Sequence, residues 1–218
     1  MRHVGVLALQ GAVSEHMDML GRVGAKASLV RHPEDLASLD GLVIPGGEST
    51  AISRLIRQNG LFEAIRTFAE NRRVLGTCAG LVLCGTEVSG TGGALPGRRG
   101  GKAAGKVMEE LPEEATEEAG NARLEPLGLL DMAVSRNGFG RQVDSFETTL
   151  AVGALGGDIP AVFIRAPYIE RIGKGVTALA SLDGKIVMAE SRTVLVTAFH
   201  PELAGDLRVA RYFCGAPT

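Results

Sequence analysis

Gly76-Thr77-Cys78-Ala79-Gly80 carries the clearest chemical pattern in this chain. It reads G-x-C-x-G, the thiol counterpart of the G-x-S-x-G turn that lifts a nucleophile above the end of a strand. Glycines on both sides leave room for a bend that a Cβ would obstruct. A helix beginning directly behind the cysteine favours thiolate over thiol. The N–H of Ala79 would then face a developing oxyanion. A small buried cysteine in a tight strand-to-helix turn is the plain alternative.

A thiol nucleophile needs a base, and the chain offers His3, His16, His32 and His200. His3 opens the first strand, on the wrong rim for an α/β site, because such sites lie at the carboxyl ends of strands. His16 falls on a helix and is expected to be partly exposed. His-Pro-Glu occurs twice after a strand, as His32-Pro33-Glu34 and His200-Pro201-Glu202. Proline biases the preceding histidine to extended backbone, so histidine and glutamate point the same way and the carboxylate can set the imidazole tautomer. Either triplet could act. In a 2-1-3-4-5 sheet the second strand lies about 14 Å from the fourth, too far for His32 to reach Cys78. The strand at 194–199 can lie beside the nucleophile strand, which favours His200 with Glu202 as its orienter. Pro45-Gly46-Gly47-Glu48-Ser49 is a second glycine turn, whose backbone could add oxyanion donors near Gly47 or simply join a strand to a helix.

These residues need a scaffold, and hydrophobic periodicity supplies one. Apolar runs at 4–9, 26–30, 41–44 and 73–77 read as strands, with helical stripes at 13–22, at Ile52, Leu55 and Ile56, and at 61–71 between them. Ser49 is the expected N-cap of the second helix. Strands alternating with helices predict a three-layer α/β fold: a mostly parallel sheet with helices on both faces, flavodoxin-like in order. In the second half, strand patterns at 129–135, 143–150, 161–165, 176–182, 185–190 and 194–199 predict an antiparallel extension. Asp183-Gly184 marks a hairpin, and 206–213 a closing helix.

Composition narrows the function classes. With 23 Lys+Arg against 25 Asp+Glu, the chain is neither a strongly basic nucleic-acid binder nor polyacidic. No apolar run is long enough for a membrane span, and the N-terminal run lacks signal-peptide form. Three cysteines suggest neither a disulfide framework nor a metal knuckle; reduced thiols and a cytoplasmic location are expected. The 218 residues are read as a single domain. Within it, the Gly- and Glu-rich stretch 89–125 is expected to be a mobile surface insertion. It is not a phosphate loop, since Pro96 and Ala103 stand where that motif needs Gly and Ser/Thr.

Six segments together carry a family resemblance. They are Leu9-Gln10-Gly11-Ala12, Pro45 to Thr50, Gly76 to Leu81, Arg136-Asn137 with Phe139 to Phe146, Phe163-Ile164-Arg165-Ala166-Pro167 and Phe199 to Glu202. In these the chain resembles the glutaminase subunits of pyridoxal 5′-phosphate synthases, a branch of the triad (class I) glutamine amidotransferases. The cysteine turn and His-Pro-Glu fit many triad amidotransferases; the Phe-Gly-Arg-Gln-Val-Asp-Ser-Phe run and Ile-Arg-Ala-Pro are narrower.

The resemblance implies hydrolysis of L-glutamine to glutamate and ammonia, with Cys78 as nucleophile and His200 and Glu202 completing the triad. It matches Gly46, Gly47, Glu48, Arg136, Ile164 and Arg165 to glutamine-binding positions. It implies a (β/α)8-barrel synthase subunit as ammonia acceptor, and no metal or bound cofactor in this chain. The loop at Gln10 is expected to contact that partner and help set the oxyanion geometry. Two departures stand out: the stretch 89–125, where a short connection is expected, and Gly138, where a small polar residue is. A glutaminase subunit serving another synthase, such as the imidazole-forming one of histidine synthesis, and a catalytically silent binding subunit are the rival readings.

Overall fold

The computed structural model describes residues 1–89, 124–136 and 145–215. In chain order the elements are β1 (His3–Leu7), α1 (Val13–Arg22), β2 (Lys26–Val30), β3 (Gly41–Ile44), α2 (Ser49–Gln58), α3 (Leu61–Asn71), β4 (Arg73–Thr77) and α4 (Ala79–Cys84). There follow β5 (Glu87–Ser89), β6 (Met132–Ser135), β7 (Ser145–Val152), β8 (Gly157–Ile164), β9 (Tyr168–Ile172), β10 (Thr177–Leu182), β11 (Lys185–Glu190), β12 (Val194–Thr197) and α5 (Arg208–Cys214).

Five strands in the order β2-β1-β3-β4-β12 run parallel, and β11, β9, β6 and β5 extend the same sheet beyond β12. The extension begins with the antiparallel pairs β12–β11, β11–β9 and β9–β6 and ends on the parallel pair β6–β5. This is the mostly parallel sheet with an antiparallel second half that the periodicity predicts. The fully buried β3 carries no polar side chain, and β12 carries one, Thr197, whose hydroxyl donates to the Phe199 carbonyl, as suits strands covered on both faces.

Helices lie on both faces. Thr77 and Gly76 are neighbours on β4, so their side-chain directions oppose one another. The Thr77 hydroxyl meets His16 of α1, whereas a Cβ on Gly76 would run into Gly80 and Cys84 of α4. The two helices therefore cover opposite sides of the strand that ends in Cys78.

Several local expectations are corrected. Glu48, not Ser49, caps α2: its carboxylate accepts the N–H groups of Thr50 and Ala51, while Ser49 is the buried first helical residue. A carboxylate reaches two of the free N–H groups of the first turn and is attracted by the helix dipole besides. Strands β5 and β9 escape the sequence reading; one has three residues, and the other puts Glu170-Arg171 inside a five-residue run. The expected strand at 143–150 lies at Ser145–Val152, with 143 and 144 outside the described residues. Asp183 and Gly184, both at positive φ, close the expected β10–β11 hairpin. Most of the stretch 89–125, together with Gly138 and Asn137, also lies outside the described residues.

Strands β7 and β8 form a separate two-stranded ribbon. Phe163 on β8 stacks on Phe146 of β7 at 4.7 Å and sits 5.8 Å from Phe199, at a tilt. Aromatic packing of this kind anchors the ribbon against the chain that follows β12. Among the described residues no helix is long and apolar enough to cross a membrane.

Candidate active site

Cys78 stands between β4 and α4 with φ 49° and ψ −101°, a backbone geometry that a non-glycine residue rarely adopts. Its N–H is held by the Thr197 carbonyl of neighbouring β12 at 2.8 Å, and its carbonyl accepts the first turn of α4 from Val82. The strained turn is thus fixed from both sides. Its thiol is mostly enclosed, and Sγ lies 3.9 Å from the Ile164 carbonyl.

His200 follows β12, the strand paired with β4, so the sheet order delivers it to the cysteine. Its backbone N–H donates to Val162 of β8 at 2.8 Å. Its Nδ1 lies 2.7 Å from Glu202 Oε1, the pairing that the His-Pro-Glu geometry implies. A Cβ built on Gly46 would lie 2.6 Å from His200 Cε1 and 3.4 Å from Cys78 Cβ, so imidazole and cysteine face each other over this glycine. Burial works against the imidazolium. The hydrogen bonds to Cys78 and Glu202, and the charges of both, more than offset it and raise the His200 pKa to about 10. The site therefore rests as an imidazolium beside sulfur near neutral pH.

This shift has a consequence for stability. A pKa raised on folding stabilises the fold fully below the unfolded value, about 6.5, and the benefit disappears as pH rises through about 10. The gap in thermal midpoint between wild type and His200→Asn should be widest near pH 6 and narrow toward pH 10. A gap that widens with pH would contradict this arrangement; thermal melts at matched ionic strength decide it.

The remaining expected site residues gather round the same cleft, about 360 Å³ in volume, with Cys78, Ala79 and His200 on its floor. Gly47, Glu48, Arg136, Ile164 and Arg165 line it, as does Gln10. Gly46 does not; it lies beneath His200. Ala79 is the first residue of α4, where helix N–H groups have no partner within the helix. Arg136 Nη2 meets Glu48 Oε1 at 3.2 Å, so the carboxylate that caps α2 also holds the guanidinium over the cleft. Burial disfavours the Glu48 anion, but the Thr50 and Ala51 N–H groups and Arg136 together hold its pKa below the ordinary value. Gln10 Oε1 accepts the Glu48 N–H at 2.9 Å, and the Ala12 N–H donates to Gly46. The loop after β1 is therefore stitched to the glycine turn. Arg165 has φ 41°, a second strained residue at this rim.

The other histidines separate clearly. His3 is on the opposite rim, bonded to Ser28. His32 is exposed and follows β2, three strands away from β4. His16 corrects the sequence reading: it is fully buried, not partly exposed, with Nε2 3.1 Å from Thr77 Oγ1 and 3.4 Å from Glu202 Oε2. Its spacing on α1 with buried Met19 and Leu20 was the available signal. Cys84 is sealed, its pKa pushed up to about 12 by burial alone, and has no place in the site.

A strained cysteine at a strand-to-helix turn, facing a histidine–carboxylate pair, is the arrangement of the thiol acyl-transfer proteins. The chain belongs to the SNO glutamine amidotransferase family, whose model matches residues 6–95 and 104–216. It is 45% identical to the pyridoxal 5′-phosphate synthase subunit PdxT of Listeria monocytogenes, over 98% of this chain and 97% of the relative. The PdxT of Mycolicibacterium vanbaalenii is 46% identical over 96% and 95%. Among solved structures, a glutamine amidotransferase superposes with a TM-score of 0.79 at 39% identity, covering 97% of both chains.

Proposed function

We propose that this chain is the glutaminase subunit of a pyridoxal 5′-phosphate synthase. It hydrolyses L-glutamine to glutamate and ammonia and passes the ammonia to a barrel synthase subunit in the cytoplasm. The observation that carries the reading is the meeting of Cys78 and His200–Glu202 over Gly46 in one cleft. The names of the relatives point to the same synthase.

The Cys78 thiolate attacks the side-chain carboxamide carbon of glutamine. The Ala79 N–H and a backbone N–H near Gly47 stabilise the oxyanion. His200 gives its proton to the departing nitrogen, and ammonia leaves as the γ-glutamyl thioester forms. His200, now neutral, takes a proton from water as it attacks the thioester, which frees glutamate and returns the thiolate–imidazolium pair. Glu202 holds the imidazole in the required tautomer. Arg136 and Arg165 hold the glutamine carboxylate, and Glu48 and the Ile164 backbone complete the clamp.

Ammonia in neutral water is mostly ammonium and not nucleophilic, so the acceptor must take it by a protected path. The decisive measurement is glutamine-dependent formation of pyridoxal 5′-phosphate when the chain is mixed with that barrel subunit. Product formed with a different synthase and not with this one would overturn the assignment.

Gln10 tests the partner side of the reading. Gln10→Ala removes the acceptor that holds the Glu48 N–H beside Gly47. Glutamine hydrolysis in the assembled complex should fall about tenfold, because a displaced oxyanion donor is costly even over small distances. Unchanged hydrolysis and unchanged partner affinity by titration calorimetry would remove Gln10 from both roles.

A further inference from the structure

Hydrolysis as described leaves a fully buried histidine without a role. His16 sits on α1, 0% exposed, behind the triad and not in the cleft. The Glu202 side chain is also fully enclosed. Its Oε1 serves His200, while its Oε2 is buried with no hydrogen-bond partner. His16 Nε2 faces that oxygen at 3.4 Å and lies 3.1 Å from Thr77 Oγ1. An enclosed carboxylate oxygen without a donor is costly, so the tautomer with the proton on Nε2 is the one the surroundings favour. That choice leaves only a lone pair on Nδ1 unpartnered, which costs less than an unpartnered N–H.

Burial holds His16 in its neutral form, against the pull of the Glu202 charge. The charged or titratable groups acting on it are Glu202 and His200 from the loop after β12 and Glu15 on its own helix. The Thr77 hydroxyl faces it from β4. His16 thus joins three elements: α1, the strand that ends in the nucleophile, and the loop that carries base and orienter.

We propose that His16 is a positioning residue for the triad: its Nε2–H, shared between Thr77 and Glu202 Oε2, holds the carboxylate square to His200 and so aims the imidazole at Cys78. The proposal rests on the glutaminase reading for its first test and is independent of it for the second.

The variants are His16→Leu, which fills the space without a donor, and His16→Gln, whose amide N–H can reach the Nε2 position. In the complex with the barrel subunit, His16→Leu should lower kcat for glutamine hydrolysis about thirtyfold. KM should stay within about twofold, because His16 touches no substrate. His16→Gln should recover kcat to within about threefold of wild type.

The second readout is alkylation of Cys78 by iodoacetamide as a function of pH. The rate near neutral pH should fall about threefold in His16→Leu and recover in His16→Gln, since a poorly held imidazolium supports the thiolate less. A folded His16→Leu with wild-type kcat and alkylation profile overturns the proposal. So does a His16→Gln no better than the leucine variant, which would mean that ring volume alone matters. If His16→Leu does not fold, a thirtyfold loss in folded His16→Gln is equally decisive against it. Should the wild type itself not hydrolyse glutamine, the functional reading fails, and the alkylation profiles still decide the role of His16.

Discussion

Replacing Cys78 with alanine lowers glutamine hydrolysis by about four orders of magnitude or more while leaving the fold and glutamine binding in place. The loss is this large because the triad acts as a unit. Without sulfur there is no thioester, and His200 keeps only Glu202 as a charged partner. What survives is the backbone cradle beside Ala79, acting on water. Binding should persist because Arg136, held by Glu48, and the rim at Ile164-Arg165 are separate from the thiol. Glutamate release in the complex and glutamine affinity by calorimetry read the two parts independently. Turnover within tenfold of wild type would mean that the reaction does not pass through this cysteine.

The second large effect is on stability. A Cβ on Gly80 would stand 2.0 Å from the Ile44 carbonyl oxygen, a backbone atom at the end of β3. Neither partner is the tip of a flexible side chain, so α4 must lift away from the sheet. Gly80→Ala should therefore cost about 3 kcal/mol. For a domain of this size that is a fall of about 10 °C in thermal midpoint. Hydrolysis should drop about a hundredfold as well, because Ala79 and Cys78 move with the start of the helix. A variant that melts with wild type and turns over glutamine normally would show that α4 does not need this close seat.

The placement of Cys78 at a strand-to-helix turn is legible because its signal is local: a cysteine between two glycines, directly after a buried strand. His200 is also separable from His32, since strand order alone places one beside β4 and the other three strands off. Glu48 lines the cleft as expected, but its capping of α2 is not legible, because Ser49 carries the commoner capping side chain and nothing local shows which residue turns inward. The burial of His16 is hidden for a deeper reason. Its partners, Thr77 and Glu202, are far away in the chain, and a polar residue on a helix ordinarily faces water. The short strands β5 and β9 lack periodicity of their own and exist through pairing with β6.

The two-stranded ribbon β7–β8 stands apart from the main sheet, yet it brings the Ile164 carbonyl to the thiol and the Val162 carbonyl to the backbone of His200. Bond-breaking groups and one wall of the cleft thus belong to different structural units. A mutation that reshapes the ribbon therefore moves a wall of the cleft and the backbone seat of His200 together, so the shape of the pocket and the aim of the imidazole are mechanically linked.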